Sequence, residues 1–343
     1  MGMNLANKYR PRDFNSIVEQ KLIVQMVKAL CESDTLDCRN FLFIGPAGCG
    51  KTTLARCIGN NLNDNSGEFI EVDAASKNGV DSVRQIIDNA RIYPVGMKYK
   101  IFILDEVHAF SQAAWQMLLK TLEESPAKSV FLMCTTNPEK IPATILSRVQ
   151  TFQLSKISLD GIINRLKYVI ECENKEGRNI TYEDAAISYI AKLAQGGMRD
   201  ALTTLDKALA YDTNITSEGL VKALGLPEYD DYFALLAAYA KRDNEAIAKI
   251  IHKVYNSGIN FVKWFEGFHA FVINVVKYIF LQDITTTMIP AHYVEKLSTY
   301  GPKHSVICLK LANKLLSLNA DLKTTQYLQE VALTHLCSIP KKE

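Results

Sequence analysis

The chain has 343 residues, enough for two or three compact domains at ~150 residues each, with 48% hydrophobic and 22% charged residues. That composition excludes an intrinsically disordered or collagen-like protein. Its 39 basic and 37 acidic groups leave a net charge of +2. This excludes a polybasic nucleic-acid coat or an acidic tail and confines any DNA contact to a local patch.

In chain order, the first half alternates short apolar runs with amphipathic stretches. Phe41, Leu42, Phe43 and Ile44 form a continuous apolar run that predicts a buried strand. A glycine-rich turn follows, and residues 51–62 predict a helix. Residues 69–72 read as a second strand and 80–90 as a helix. Residues 100–104 and 130–134 are further apolar strands, with a helix over 112–124 between them. Strands alternating with helices predict an α/β domain whose mostly parallel sheet is covered on both faces.

After about Phe152 the pattern becomes helical only, with helices predicted over 159–175, 183–195, 199–211 and 216–224. Thr181 and Asp184 resemble an N-cap and its third-position partner. Leu226, Pro227 and Glu228 read as a linker. From Asp231 the chain is helical again, with breaks near 256–258 and 301–302. The expected layout is an α/β domain, a small helical domain and a second helical domain.

Gly45-Pro46-Ala47-Gly48-Cys49-Gly50-Lys51-Thr52 fits G-x-x-x-x-G-K-[ST], with a strand before it and a helix after it. Glycines let consecutive N–H groups converge on phosphate oxygens, and the helix N-terminus adds partial positive charge. Lys51 is expected to reach the β- and γ-phosphates of ATP, Thr52 to bind Mg²⁺, and Thr53 to complete the nucleotide contacts. The strand 100–104 ends in Asp105 and Glu106. Asp105 is expected to hold Mg²⁺ and Glu106 to act as general base on the attacking water.

The eight cysteines, at 31, 38, 49, 57, 134, 172, 308 and 337, include no C-x-x-C pair. They read as small buried hydrophobes in a reducing compartment rather than as zinc ligands or a redox pair. Residues 1–11 hold no apolar core of signal-peptide length. The greasiest stretch, 268–281, is interrupted by His269, Asn274 and Lys277 and falls short of the ~18 apolar residues of a membrane span. A soluble, cytoplasmic protein with no membrane contact is expected.

Asp105-Glu106-Val107-His108 and Leu118-Leu119-Lys120-Thr121-Leu122-Glu123-Glu124 resemble the AAA+ clamp loaders, and within them the gamma/tau family of bacterial DNA polymerase III. Lys8-Tyr9-Arg10-Pro11, Asp73-Ala74-Ala75-Ser76, residues 141–148, residues 197–202 and residues 328–333 are similar to that family as well. The resemblance spans about residues 4–337, dense through 41–155 and thin through 227–320. It implies an AAA+ ATPase domain over 1–156, a helical lid over 157–226 and an all-α collar for oligomerisation over 227–343. It implies that Thr136 senses the γ-phosphate and that Arg148 is an arginine finger acting on a neighbouring subunit's ATP. Arg199 falls where the family keeps its second sensor. Tyr9, Arg10 and Pro11 fall where it packs near adenine and ribose.

The departures are specific. No cysteine lies between Asn60 and Phe69, where relatives carry a four-cysteine zinc module, so zinc is not expected. Val149 replaces the cysteine after the finger arginine, and Ser125 stands where proline is usual. The sequence ends at Glu343, so no tau-type extension is expected. These features suggest a compact, divergent form, from a phage or mobile element.

Lys77, Arg84 and Arg91 recur every seven residues, which places Arg84 and Arg91 on one helix face. Two readings stand for them, a sequence-independent DNA-phosphate contact and an ordinary solvated face. Trp115 and Phe110 also carry two readings, contact with the sliding clamp and core packing. The expected function is the ATP-hydrolysing motor subunit of a clamp loader. It would work in a pentameric assembly with other loader subunits, the clamp and primer–template DNA, its hydrolysis stimulated by both. The alternatives are a non-hydrolysing structural loader subunit and another AAA+ machine, such as a branch-migration helicase or replication initiator.

Overall fold

The computed structural model describes residues 4–32, 39–64, 69–124, 126, 128–225, 229–290 and 293–337. The chain divides into two compact units, one of residues 1–180 with 190–206 and one of 181–189 with 207–343. Ser125, the linker 226–228 and part of the 60–69 stretch lie outside the described residues.

The first unit runs through α1 (Leu5–Lys8), α2 (Lys21–Cys31), β1 (Asn40–Ile44), α3 (Lys51–Leu62), β2 (Ile70–Asp73) and α4 (Val80–Arg91). It continues with β3 (Lys100–Asp105), α5 (Gln112–Glu124), β4 (Ser129–Thr135), α6 (Ala143–Leu146), β5 (Gln150–Gln153) and α7 (Leu159–Lys175). The strands form one parallel sheet in the order β2-β3-β4-β1-β5. Side chains alternate across a strand, so a strand buried on both faces reads as an unbroken apolar run. Ile101 and Ile103 face a core with Phe41, Phe43, Leu54 and Ile58. Phe102 and Leu104 face the other, with Leu42, Val83, Ile86 and Leu118.

Helices α3, α5 and α7 have the predicted bounds, and α4 extends to Arg91. Helix α2 and strand β5 were not anticipated. The apolar residues of α2 that pack on the core (Ile23, Val24, Leu30 and Cys31, with buried Val27) follow helical spacing, but its start carries no capping side chain. Strand β5 is four residues long and, among the described residues, pairs with β1 alone.

The second stretch holds β6 (Thr181–Tyr182), α8 (Asp184–Leu193), α9 (Met198–Tyr211), β7 (Asn214–Ile215) and α10 (Ser217–Leu224). Beyond them come α11 (Tyr229–Lys241), α12 (Asn244–Asn256), α13 (Phe261–Leu281), α14 (Val294–Ser298), α15 (Pro302–Leu322) and α16 (Leu328–Leu336). Helices α8 and α9 contribute residues to both units.

Three expectations are corrected here. Residues 159–224 are not helical only, because β6 and β7 pair in parallel, Thr181 opposite Asn214 and Tyr182 opposite Ile215. Thr181 is therefore a strand residue and caps no helix; its hydroxyl donates to Asn214 Oδ1 at 2.8 Å. Third, α13 is longer than the apolar stretch suggested. Its 21 residues include an 18-residue window of mean hydropathy 1.2, long and apolar enough for a membrane span. More than half of that window is buried, with Trp264, Phe268, Phe271 and Val275 packed into a core shared with Leu311, Leu315 and Leu318 of α15. Such burial is that of a core helix.

Candidate active site

Strand order places the chemistry. The phosphate loop follows β1, the Asp105–Glu106 pair ends β3, and β4 lies between them with Thr135 and Thr136 at its carboxyl end. Crevices at the carboxyl ends of parallel strands are where α/β sheets bind ligands. Gly48 and Gly50 adopt left-handed φ of 72° and 106°, a conformation open to glycine and costly to other residues. Lys51 is 5% exposed, and its Nζ donates to the carbonyls of Gly45 and Pro46, each at 2.9 Å.

The Thr52 hydroxyl donates to Asp105 Oδ2 at 2.7 Å. Two hard oxygen donors this close, beside a phosphate-binding loop, fit Mg²⁺, which binds through few protein oxygens and completes its shell with water and phosphate. Glu106 has a φ of 48°. A non-glycine residue held there stores strain, and such outliers concentrate at functional sites. The turn carries the Glu106 carboxylate under the end of β4. Its Oε2 accepts from the Thr136 amide at 3.2 Å and the Thr136 hydroxyl at 2.9 Å. His108 Nδ1 lies 3.2 Å from the same oxygen and 3.1 Å from Thr135 Oγ1.

A cleft of 410 Å³ opens over the loop. Tyr9, Arg10 and Pro11 line one part of it, and Arg165, Met198 and Arg199 line another. Thr53 also faces it, as do the loop residues from Ala47 on. Gly45 and Pro46 contribute their carbonyls to Lys51. The Met198 N–H donates to the Gly48 carbonyl at 3.0 Å, so the first turn of α9 rests on the phosphate loop. Burial lowers the Arg10 pKa, and the charges of Arg56 and Arg199 add to that effect. Arg10, Arg165 and Arg199 bring positive charge to the cleft, which suits a polyphosphate.

Cys49 and Cys134 are buried around the loop, and desolvation pushes both thiols up. The seven described cysteines are all free. No group of three or more His, Cys, Asp or Glu side chains arranged for a metal occurs among the described residues.

Other predicted residues lie away from this cleft. Arg148 follows α6; its Nη2 pairs with Glu123 at 2.6 Å and its Nη1 donates to the Thr144 carbonyl at 2.7 Å. Lys77, Arg84 and Arg91 are exposed on α4 and its approach, with Arg84 beside Asp81 at 3.4 Å. Trp115 and Phe110 are buried and meet edge to face with centroids 5.5 Å apart, so core packing is the reading that holds for them. Large apolar side chains are instead exposed just beyond α4, at Ile92, Tyr93 and Val95, the last 90% exposed.

Sequence reasoning missed Arg165 and Glu173. Arg165 Nη2 donates to the Tyr9 carbonyl at 2.7 Å. Glu173 is buried and accepts from Lys8 Nζ at 2.6 Å and the Tyr9 hydroxyl at 2.7 Å. Burial opposes the charge of Glu173, yet the bonds from Lys8 and Tyr9 outweigh it and hold the carboxyl below its usual range. The Tyr9 phenol is pushed up to about 12, by burial first and by Glu173 second. No local motif signals these contacts, which join residues more than 150 positions apart.

Comparison with known proteins adds a separate line of observation. The family described as "DNA polymerase III, delta subunit" matches residues 66–158, and "DNA polymerase III clamp loader subunit, ATPase lid domain" matches residues 161–214. The DNA polymerase III subunit gamma of Buchnera aphidicola subsp. Baizongia pistaciae is 32% identical over 321 residues, covering 86% of this chain and 85% of that one. The DNA polymerase III subunit tau of Escherichia coli K12 is 32% identical over 279 residues, which are 74% of this chain and 42% of that longer one. Among solved structures, Thermotoga maritima RuvB, titled a Holliday junction branch migration motor, aligns with a TM-score of 0.52 at 16% identity over 67% of this chain and 78% of that chain. At that identity the likeness is one of fold.

Proposed function

We propose that this chain, which belongs to the DNA polymerase III gamma/tau clamp-loader family, is an ATP-hydrolysing motor subunit that opens a sliding clamp and loads it on primer–template DNA. The observation that carries the reading is that Lys51, Thr52, Asp105 and Glu106 converge on one cleft beyond the carboxyl ends of β1 and β3. Thr52 touches Asp105 at 2.7 Å, Lys51 lies within the loop, and Glu106 stands beside Thr136. A structural subunit without activity has no need of all four.

In this reading Lys51 moves from the loop carbonyls to the β- and γ-phosphates. Thr52 and Asp105 would hold Mg²⁺, which supplies charge neutralisation at the phosphates when bound. Glu106 leaves Thr136 and takes the proton of the attacking water at Oε2. Thr136, thus freed, turns its hydroxyl to the γ-phosphate. Arg199 reaches the same nucleotide from the start of α9, and Arg148 leaves Glu123 for the ATP of a neighbouring subunit, so that hydrolysis depends on assembly.

The surfaces have matching assignments. Lys77, Arg84 and Arg91 would follow the DNA backbone. Ile92, Tyr93 and Val95, exposed and adjacent to Arg91, would meet the clamp in place of Trp115 and Phe110. Residues 1–156 would be the motor, 157–226 the lid and 227–343 the collar. Val306, Leu309 and Leu316 of α15 are exposed apolar side chains at helical spacing, a surface suited to companion subunits in a pentamer. The protein would work in the cytoplasm.

Likeness to the branch-migration motor is one of fold and does not favour that activity. The test is ATP hydrolysis by the purified chain, alone and with companion subunits, clamp and primed DNA. Stimulation by clamp and primed DNA together is the expected result. Absence of ATPase activity under all those conditions would refute the motor assignment.

A further inference from the structure

We propose that Glu173 is a positioning residue for the adenosine end of the nucleotide, holding the segment 8–11 in the place where it lines the cleft. The inference rests on the ATPase reading and deepens it. Residues 5–13 are tied at both ends. On one side the Leu5 N–H donates to Asp206 Oδ2 of α9 at 2.9 Å, and Lys8 and Tyr9 both bond Glu173 Oε1 of α7. On the other side Asn60 Nδ2 of α3 donates to the Arg12 carbonyl at 2.8 Å, and the Cys57 thiol reaches the Pro11 and Asp13 carbonyls at 3.6 and 3.5 Å. Arg10 lies between the two sets of ties, and the tied residues Tyr9 and Pro11 on either side of it face the cleft with it.

Glu173 is the joint of this strap. Its side chain is 2% exposed, a setting in which a carboxylate is retained only if its oxygens are fully bonded. Oε1 takes both donors from the strap, and Oε2 takes Arg178 Nη1 at 3.0 Å. Lys8 also pairs with Glu176, one turn further along. Arg165, about two turns before Glu173 on α7, fixes the Tyr9 carbonyl at 2.7 Å. The helix therefore sets both the tyrosine ring and the backbone that leads into Arg10 and Pro11. The phosphate loop is held by separate bonds, those of Lys51, Thr52 and Met198. A fault at Glu173 should thus be felt by the adenosine and spared by the phosphates.

The experiment measures binding of ATP and of inorganic tripolyphosphate to the full chain by titration calorimetry, in wild type, Glu173→Gln and Lys8→Met. Loss of one or two bonds to the buried charge is expected to weaken ATP about fivefold and to leave tripolyphosphate affinity unchanged. Steady-state KM for ATP should rise with kcat preserved, and Lys8→Arg should restore it. Should Glu173→Gln fail to fold, Lys8→Met decides, since Glu173 then keeps Tyr9 and Arg178. Equal weakening of both ligands, or unchanged ATP affinity, overturns the inference while leaving the ATPase reading in place. A wild-type chain that binds neither ligand overturns both.

Discussion

Thr136 holds Glu106 through two bonds to one carboxylate oxygen, 2.9 Å from the hydroxyl and 3.2 Å from the amide. The oxygen proposed to receive a water proton is thus already engaged, and in the proposed reaction Glu106 would leave that pairing. The two residues separate by function on mutation. Glu106→Gln keeps the pairing geometry but not the base, so it should bind ATP normally and hydrolyse it at least ~10²-fold more slowly. Thr136→Ala should lower kcat by about tenfold with little change in KM, because a positioning hydroxyl has been lost and the base remains. Single-turnover hydrolysis of bound ATP measures both.

Arg148 is paired with Glu123 at 2.6 Å, with side-chain exposures of 34% and 43%. A part-exposed pair of this kind contributes roughly 0–1 kcal/mol, little enough for the arginine to leave for a phosphate. Arg148→Ala should lower kcat of the assembled ATPase by about 10³-fold while each chain still binds ATP. If the finger acts on a neighbour, mixing two inactive variants, Arg148→Ala and Glu106→Gln, should restore hydrolysis at interfaces where an intact Glu106 meets an intact Arg148. A mixture of the two variants that stays inactive would place Arg148 outside the active interface.

The parts of this molecule legible in the sequence are those whose causes are local. Strands β1, β3 and β4 are buried on both faces, so each appears as an unbroken apolar run, and the phosphate loop is a continuous motif between a strand and a helix. Glu106 and Thr136 are each visible, but their pairing depends on β4 lying between β3 and β1, which strand order alone decides. The face of α5 that carries Trp115 is apolar whichever partner covers it, and only the sheet's second core assigns it to the interior. Thr181 looked like a cap because two-residue strands are too short to impose a period. Glu173 was invisible because its partners Lys8 and Tyr9 stand at the other end of the unit's sequence.

The basic residues of α4 offer a test that does not depend on hydrolysis. Arg84 and Arg91 are exposed while Val83, Ile86, Ile87 and Ala90 are buried, so charge reversal leaves the core of the helix alone. Reversing both to Glu should weaken binding to primed DNA and make it less sensitive to salt. The slope of log K against log salt should fall by about 0.9 for every duplex phosphate that is no longer neutralised. ATP affinity should be unaltered. An unchanged slope, measured by fluorescence anisotropy across a salt series, would return these arginines to an ordinary solvated face.

Two aromatic residues near α4 and α5 should respond oppositely to truncation. Trp115 is 4% exposed and packed on Phe110, so Trp115→Ala should cost about 3–5 kcal/mol of stability, read as a lower melting temperature, with clamp binding reduced only as far as the fold is disrupted. Tyr93 is 61% exposed and Val95 90%, so Tyr93→Ala with Val95→Ser should change stability by no more than about 0.5 kcal/mol per site. If this patch is the clamp surface, the double variant should lose clamp-stimulated ATPase activity and clamp co-elution while its basal rate and melting temperature stay at wild-type values. Full clamp stimulation in the double variant would exclude the loop beyond α4 and send the search for the clamp-binding face to another exposed surface of the same unit.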